Sequence, residues 1–475
     1  MKNNIIIKAL FFGFFIFLIN SCKVPNIAVK QENRNTPSAY AGSMDTINVA
    51  NISWRDYFND RNLIGLIDTA LANNQELNIT LQEIEIGKNE VMAKRGEYLP
   101  SLNFGAAAGP DKAGKYTWDG FSEEDLKTNP EKGPRYIGDF MAGTFFSWEL
   151  DVWKKLRNAK KAAALKYLSS VEGKNFMVTN IIAELAGSYY ELMALDNLFA
   201  IVDQNIEIQR NALDIVRLEK EAAKVSQLAV NRFEAQLLYT KNLQYEINQK
   251  IVETENRINF LIGRFPQPIM RSTSAFYDLL ADSVFYGVPS QLLSNRPDIR
   301  RAELELEAAK LDVQVARANF LPSFRISSGL GFQAYNPLFL IRPSSIIYNL
   351  MGDMVAPLVN KNAIKAIYFN ANAAQIQSVY NFEQSVLNAH IEVVNQLSQM
   401  NNMKRSYETK SREVELLSQS IMISNSLYRS ARADYIEVLL TQREALEARI
   451  DLIEIKKKQL ETKVNLYKVL GGGWK

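Results

Sequence analysis

The sequence has little cysteine and histidine, and it has no excess of charge of either sign. One Cys and one His stand among 475 residues, so one chain cannot assemble a Cys/His metal cluster, a disulfide framework or a thiol redox centre. Lys and Arg number 55 against 52 Asp and Glu, which excludes the strong basic field typical of nucleic-acid binding. We therefore expect no metal site, no cofactor and no nucleic-acid partner.

The single Cys lies at the end of an apolar N-terminal stretch. A basic start precedes the apolar run 9–19, which is too short to span a bilayer as a helix, and small Ser21 stands just before Cys22. This arrangement is typical of a bacterial lipoprotein signal. We predict a signal peptide at 1–21, acylation of Cys22 and an anchor segment at 22–50. An ordinary secretory signal with a coincidental Cys is the alternative.

Two long stretches of the chain repeat each other. A shift of 222 residues (321 minus 99) brings Leu99 onto Leu321, and a shift of 208 residues (471 minus 263) brings Gly263 onto Gly471. The chain is thus a tandem duplication whose second copy has lost 14 residues (222 minus 208) between the matched stretches. The predicted segments are a first repeat at 51–266, a linker at 267–287 and a second repeat at 288–475.

Each repeat contains a Leu-Pro that ends a helical pattern and is followed by alternating residues. After Pro322, for example, apolar Phe324 and Ile326 alternate with Ser323 and Arg325. Alternation of this kind is typical of a transmembrane β-barrel wall, with lipid on one face and water on the other. For any single run, a soluble sandwich is the alternative. The predicted strands lie at about 101–109, 137–150, 323–333 and 345–356.

The rest of each repeat lacks Pro, the residue that breaks helices most strongly. Residues 135–265 contain no Pro, and residues 358–470 contain neither Pro nor Gly. Such tracts predict helices far longer than those of ordinary globular domains, with rods of about 55 residues. Each tract can turn once, near Ala222 and Ala223 in the first and near Ala431 in the second, which gives two antiparallel hairpins.

Four strands per chain are too few to close a barrel. Known membrane barrels have about eight strands or more, and an open sheet edge in hydrocarbon leaves backbone groups without partners. Closed cyclic symmetry solves this problem, and three protomers would supply about twelve strands. We therefore predict a mainly α-helical fold with a small membrane β part, in which a homotrimer forms a 12-stranded β-barrel and an α-helical barrel.

Several motifs resemble those of the TolC-like outer membrane efflux factors, and most of all their lipoprotein branch that serves RND pumps. The motifs are Trp54-Arg-Asp-Tyr-Phe-Asn-Asp, Arg296-Pro-Asp-Ile-Arg, Ala318-Asn-Phe-Leu-Pro-Ser and Tyr467-Lys-Val-Leu-Gly-Gly-Gly-Trp. The resemblance covers about residues 50–474. It implies a passive trimeric conduit in the bacterial outer membrane, whose periplasmic helix tips dock on an adaptor (membrane fusion) protein and on an inner membrane pump that supplies the energy.

The resemblance also assigns roles to residues at the two hairpin turns, which in the family dock on the adaptor and close the tube. The positions are Ala223, Lys224, Val225 and Ser226 in the first turn, and Ala431, Arg432, Asp434 and Tyr435 in the second. The family usually has Gly at the positions of Ala223 and Ala431. Glu437 lies where the family can carry an acid facing the lumen. It is a candidate lumen gate, with a plain surface glutamate as the alternative.

Two other functions compete with an efflux channel that carries small molecules. A periplasmic adaptor lipoprotein also has a long helical hairpin, but it would need one hairpin flanked by globular β modules. This chain has two hairpins and membrane-type strands instead. A periplasmic enzyme would need a clustered acid pair or a nucleophile with its base, and the sequence offers neither. We therefore expect an efflux duct without catalytic residues, bound to outer membrane lipid.

Overall fold

The computed structural model describes residues 24–40, 46–111, 137–272, 276–277, 279, 285–430 and 432–474. The first repeat contains helices α1 (Trp54–Tyr57), α2 (Arg61–Asn73) and α3 (Gln75–Tyr98), strands β1 (Ser101–Asp111) and β2 (Ile137–Leu150), and helices α4 (Lys155–Glu221) and α5 (Gln227–Leu261). The second contains helices α6 (Leu292–Asn295) and α7 (Pro297–Ala318), strands β3 (Ser323–Ala334) and β4 (Ile346–Val355), and helices α8 (Asn362–Arg429) and α9 (Tyr435–Val469). Within these ranges, no helix is both long enough and apolar enough to cross a membrane.

Capping side chains set where helices of the first repeat begin. Asp60 Oδ1 accepts hydrogen bonds from the backbone N–H groups of Asn62 and Leu63, at 2.8 and 3.3 Å, at the start of α2. Asn74 Oδ1 accepts from the N–H of Leu77 at 2.9 Å at the start of α3. These bonds satisfy donors that the first turn of a helix leaves without intrahelical partners, which fixes both starting points.

Matching elements of the two repeats begin and end at equivalent residues. Helices α5 and α9 both have 35 residues, and the shift of 208 carries both ends of α5 onto the ends of α9. Helices α4 and α8 end at Glu221 and Arg429, also 208 apart, while β1 and β3 begin at Ser101 and Ser323, which are 222 apart. The predicted tandem duplication is therefore confirmed.

The two helices of each hairpin are unequal in length, which differs from the predicted rods of about 55 residues. Helix α4 has 67 residues and α8 has 68, whereas α5 and α9 have 35 each. The turns fall where the sequence places them. The lengths differ because α4 and α8 begin soon after strands β2 and β4, while α5 and α9 end two residues before Gly263 and Gly471, each of which has a positive φ.

The four strands form one antiparallel sheet in the order β1-β2-β3-β4, so β1 and β4 are its edges within the described residues. The register aligns Leu150, Phe324 and Met354 in one row and Glu149, Arg325 and Asp353 in the adjacent row. Because neighbouring residues of a strand point to opposite faces, one face is apolar and the other polar. The prediction of four alternating strands per chain is confirmed, with ends that differ from the predicted ones by two residues at most.

Phe145 interrupts the alternation, because it places an aromatic ring on the polar face of the sheet. A Cβ at Gly105, on β1, would lie 3.2 Å from Cε2 of this ring, and a Cβ at Gly329, on β3, would lie 3.4 Å from its Cδ1. The ring therefore covers the space that two glycines on adjacent strands leave open. The irregular Phe and the flanking glycines form one packing unit.

Contacts divide the described chain into two compact units, each with its own buried residues. The unit that carries the sheet comprises the described residues within 24–31, 85–167 and 304–379, and there the buried rings of Phe320 and Tyr368 meet edge to face at 5.6 Å. The other comprises the described residues within 32–84, 168–303 and 380–474. Its most deeply buried side chains include Tyr189, Leu192 and Met193.

Candidate functional site

The turn between α4 and α5 is closed by two backbone hydrogen bonds. The N–H of Lys224 donates to the carbonyl of Glu219, and the N–H of Ala223 donates to the carbonyl of Lys220, both at 2.9 Å. This pair of bonds is the Schellman arrangement, which places one residue in the left-handed region. That residue is Ala223, with a φ of 51°. An alanine thus adopts the backbone conformation that usually selects glycine.

The turn between α8 and α9 uses the same closing bond as the first turn. The N–H of Arg432 donates to the carbonyl of Leu427 at 2.9 Å. Both residues lie 208 positions after Lys224 and Glu219, which make the corresponding bond in the first repeat. The two turns therefore share one backbone design, although Ala431 itself lies outside the described residues.

Most of the predicted docking residues are exposed. The exposed ones are Ala223, Lys224, Ser226, Arg432 and Asp434, and the half-buried ones are Val225 and Tyr435. Their accessibility is compatible with docking, and the docking role itself stays a prediction. Cys22 lies outside the described residues, so its acylation also stays a prediction.

The ends of the two hairpins are joined by side chains for which the sequence gives no local signal. The Tyr428 hydroxyl donates to Glu219 Oε2, which links the last turns of α8 and α4. The rings of Phe233 and Tyr435 lie 6.5 Å apart between centroids. Burial, the bond to Glu219 and the charge of Asp434 all raise the pKa of the Tyr428 hydroxyl, so it stays protonated as a donor at neutral pH.

Glu437, the candidate lumen gate, lies in the first turn of α9 and is exposed. Its equivalent in the first repeat, at the shift of 208, is Ala229, which is fully buried at the start of α5. At this equivalent position only the second repeat carries a carboxylate, so a gate built here would rest on Glu437 alone.

Arg296, in the Arg-Pro-Asp motif, holds three parts of its unit together. Its guanidinium donates twice to Asp298, at 2.7 and 3.0 Å, and once to Glu392 Oε2, at 2.6 Å. It also donates to the carbonyl of Val469, the last residue of α9, at 3.1 Å. The side chain is buried, so these groups replace the water that a guanidinium needs.

Asn74 occupies the position of the first repeat that is equivalent to Arg296, since the two are 222 residues apart. Its Nδ2 donates to the carbonyl of Leu261 at 2.8 Å. Leu261 ends α5 as Val469 ends α9. Each repeat therefore fastens the end of its last helix with one side chain from the residue that precedes α3 or α7.

Arg271, in the predicted linker, makes contacts that the sequence does not predict. It donates to both carboxylate oxygens of Asp196 on α4, at 2.6 and 2.8 Å, and to Glu255 on α5. The hydrogen bond to Asp196 is the main reason that the pKa of this guanidinium is raised above its usual value. The linker is thereby tied to both helices of the first hairpin.

The sequence profile of the family described as outer membrane efflux protein matches residues 66–264 and 288–472, which together make up well over half of the chain. The chain belongs to the outer membrane efflux protein family. The two matched stretches fall inside the two predicted repeats. Membership of this family confirms the outer membrane efflux channel that the sequence predicts.

Individual relatives match this efflux protein over nearly its whole length. The cation efflux system protein CusC of Escherichia coli is 25 % identical over 450 residues, covering 95 % of this chain and 94 % of CusC. The pyoverdine export outer membrane protein OpmQ of Pseudomonas putida is 27 % identical over 423 residues, covering 89 % and 88 % of the two chains.

Solved structures show the same fold. The open state of the MtrE outer membrane channel of Neisseria gonorrhoeae matches with a TM-score of 0.82 at 22 % identity, and the match covers 95 % of this chain and 98 % of MtrE. A membrane protein from Pseudomonas aeruginosa matches with a TM-score of 0.84 at 21 % identity, over 94 % and 99 % of the two chains. The predicted TolC-like fold is thereby confirmed.

We expect Ala223→Gly to stabilise the first hairpin, because glycine adopts the left-handed conformation at this turn without the steric cost of a Cβ. The free energy of unfolding should rise by about 0.5–1 kcal/mol. Urea unfolding in detergent, followed by the circular dichroism of the helices, measures the change. Ala222→Gly is the control: the N–H of Ala222 makes a helical bond to Leu218, so this change should destabilise. If the two changes had equal effects on the free energy of unfolding, the left-handed conformation of Ala223 would carry no steric cost.

Proposed function

We propose that this efflux protein is the passive, trimeric outer membrane channel of a tripartite efflux system. It would receive small molecules from a periplasmic adaptor and an inner membrane RND-type pump and release them outside. The observation that carries the proposal is a four-stranded sheet with one apolar face and with both edges, β1 and β4, unpaired within the described residues. Hydrocarbon cannot satisfy the backbone groups of such edges, whereas three protomers could close about twelve strands into one barrel.

The names of the relatives support a duct of low selectivity. CusC is named for cations, OpmQ for pyoverdine and TtgI of Pseudomonas putida for toluene. Molecules with such different charge and polarity share no chemistry that a single pocket could recognise. We infer that the partner pump determines which molecules leave, and that the channel itself catalyses no reaction.

We propose that the exposed hairpin turns dock on the adaptor. Lys224 and Arg432 occupy equivalent positions, 208 residues apart, so each repeat presents one cation at the same point of its turn. An adaptor surface with carboxylates at matching positions would complement both. Ala223, Val225, Ser226, Ala431, Asp434 and Tyr435 would complete the docking surface.

We propose that Cys22 is acylated and anchors the mature chain in the outer membrane. The relative SilC of Salmonella typhimurium is named a probable outer membrane lipoprotein, and it is 24 % identical over 421 residues. A single acyl chain gives only marginal membrane binding, and the proposed barrel supplies a further and stronger attachment.

Conductance and subunit number together test the proposed channel. The purified protein should give discrete conductance steps in planar bilayers, and light scattering in detergent should give the mass of three subunits. A Cys22→Ser variant with a cleavable secretory signal should still need detergent, because the apolar face of the sheet remains. A variant that is monomeric and stable in water without detergent would contradict the proposal and favour a periplasmic adaptor.

Glu437→Ala is expected to weaken the block of conductance by divalent cations by about tenfold. In a trimer, three Glu437 carboxylates would converge near the symmetry axis, repel one another and bind cations. Dose–response curves for Mg²⁺ in planar bilayers measure the effect. Glu415→Ala, which removes an exposed carboxylate from α8, is the matched control and should leave the block unchanged. Equal curves for wild type and Glu437→Ala would identify Glu437 as a plain surface residue.

A further inference from the structure

A cavity of about 410 Å³ lies where strands meet helices in the unit that carries the sheet. Three connections border it: β2 to α4, α7 to β3 and β4 to α8. Its volume lies in the range of about 300–1,000 Å³ that is usual for ligand sites. The apolar part of its wall includes Leu150, Val152, Leu321, Pro357, Ile364 and Ile367.

Polar side chains at this cavity are already engaged by the protein. The Asp151 carboxylate accepts hydrogen bonds from the N–H and Nε of Arg157, at 2.9 and 3.1 Å. Glu149 pairs with Lys155 at 3.6 Å, and Trp153 Nε1 donates to a backbone carbonyl at 2.7 Å. An occupant therefore meets apolar surface together with the side chains of Glu149, Asp151 and Trp153, which already have partners. Hydrocarbon, which makes no hydrogen bonds, suits such a site.

The N-terminal segment 24–31 leads toward this cavity. Gln375 Nε2 donates to the carbonyl of Lys30 at 3.4 Å, and Val24 and Ile27 pack against the buried cluster that contains Tyr368. Because Tyr368 precedes Gln375 on α8, the segment runs toward the beginning of α8 as it is followed back to Val24. Ile364, near that beginning, packs against the same cluster and also lines the cavity.

We propose that this cavity holds an acyl chain attached to Cys22. Val24 lies two residues after Cys22, a separation of about 7 Å in a fully extended chain, and it packs on the cluster that Ile364 shares with the cavity wall. The inference rests on the proposed acylation of Cys22. An acyl chain held here would attach the lipidated N-terminus to the junction of strands and helices, so this chain would fix the position of the N-terminus on the protomer instead of inserting in the bilayer.

Photocrosslinking in the full-length protein tests whether the acyl chain of Cys22 occupies the cavity. The photoreactive amino acid p-benzoylphenylalanine replaces Ile367 in one sample and Val152 in a second, and cells are irradiated before the protein is purified and digested. Mass spectrometry should find either position crosslinked to the acylated Cys22 peptide of the same chain. The same amino acid in place of Tyr348, which is 82 % exposed on the apolar face of β4, is the control and should give phospholipid adducts.

Each source of hydrocarbon gives a different product. An acylated Cys22 peptide that is crosslinked to neither position would contradict binding of the acyl chain in the cavity, while the proposed acylation of Cys22 would stand. Phospholipid adducts at both positions, or a product with the mass of two subunits, would also contradict this binding, since bilayer lipid or a second copy would then fill the cavity. A Cys22 peptide without acyl chains would contradict both the proposed acylation and the binding of an acyl chain in the cavity. The conductance of the channel is independent of all these outcomes.

Discussion

Arg296→Met is expected to lower the free energy of unfolding by about 3 kcal/mol, the lower end of the range for breaking a buried ion pair. The side chain of Arg296 is only 7 % exposed, and its loss leaves Asp298, Glu392 and the carbonyl of Val469 without their donor. The Glu392 side chain is 48 % exposed, so water replaces part of what it loses. That hydration keeps the expected loss at the lower end.

The charge state of Arg296 makes this effect independent of pH in the neutral range. Burial by itself lowers the pKa of the guanidinium, but Asp298 and Glu392 outweigh it and raise the pKa above its usual value. Because a folded pKa above the unfolded one stabilises the fold at every pH below both values, the contribution of the Arg296 guanidinium is fully present across the neutral range. The loss in Arg296→Met should therefore be the same at pH 6 and pH 8.

Urea unfolding in detergent at one protein concentration measures this change, with two reference variants. Arg210→Met removes an exposed guanidinium that pairs with Glu207, and such surface pairs contribute about 0–1 kcal/mol. Asn74→Ala removes the equivalent but uncharged side chain of the first repeat and should cost about 1–3 kcal/mol. An Arg296→Met variant as stable as Arg210→Met would show that the contacts of Arg296 do not contribute measurably to the free energy of unfolding.

The elements that the sequence predicts well are those set by neighbouring residues. Pro100 and Pro322 end helical patterns, so the starts of β1 and β3 follow from local sterics, and the alternation beyond them fixes which face is apolar. The long helices follow from tracts without Pro, and their turns fall where the two repeats align. Repetition strengthens each of these inferences, because the same local signal occurs twice.

Contacts between segments that are far apart in the sequence have no such local signal. Tyr428 and Glu219 are 209 residues apart, and Arg271 and Asp196 are 75 apart, yet each pair forms hydrogen bonds. Nothing in the spacing of either residue selects its partner, because helix packing determines which side chains meet. The sequence therefore indicates where the hairpin turns lie but not how the two hairpins are fastened together.

Phe145 is an intermediate case. The sequence shows that it breaks the alternation of β2, but the reason becomes visible only when the register places it beside Gly105 and Gly329. Those glycines lie on two other strands, and one of them belongs to the other repeat. A break in a local pattern can therefore mark a packing feature even when its partners cannot be chosen from the sequence.

Gly143→Val is expected to reduce the amount of assembled channel by about tenfold or more, because β2 and β3 approach too closely for a side chain at this point. Gly143 pairs with Gly331 across the two strands. A Cβ at Gly143 would lie 2.8 Å from the Cα of Gly331 and from the carbonyl oxygen of Leu330. Backbone atoms cannot rotate away, so the pairing itself must shift. Overpacking costs about 1–3 kcal/mol, and each 1.4 kcal/mol corresponds to about a factor of ten.

The position of this glycine pair explains why we expect Gly143→Val to reduce the assembly of the channel and not only to disturb local packing. Strands β1 and β2 come from the first repeat and β3 and β4 from the second, so the β2–β3 pairing is the seam that joins them. Gly352→Val on β4 is the matched control, because a Cβ there meets nothing within 4 Å. Quantifying trimer and monomer in outer membrane extracts compares the two variants. Equal trimer levels would mean that the repeats do not depend on this seam, and closure of the barrel by β1 and β4 would then have to hold the sheet together instead.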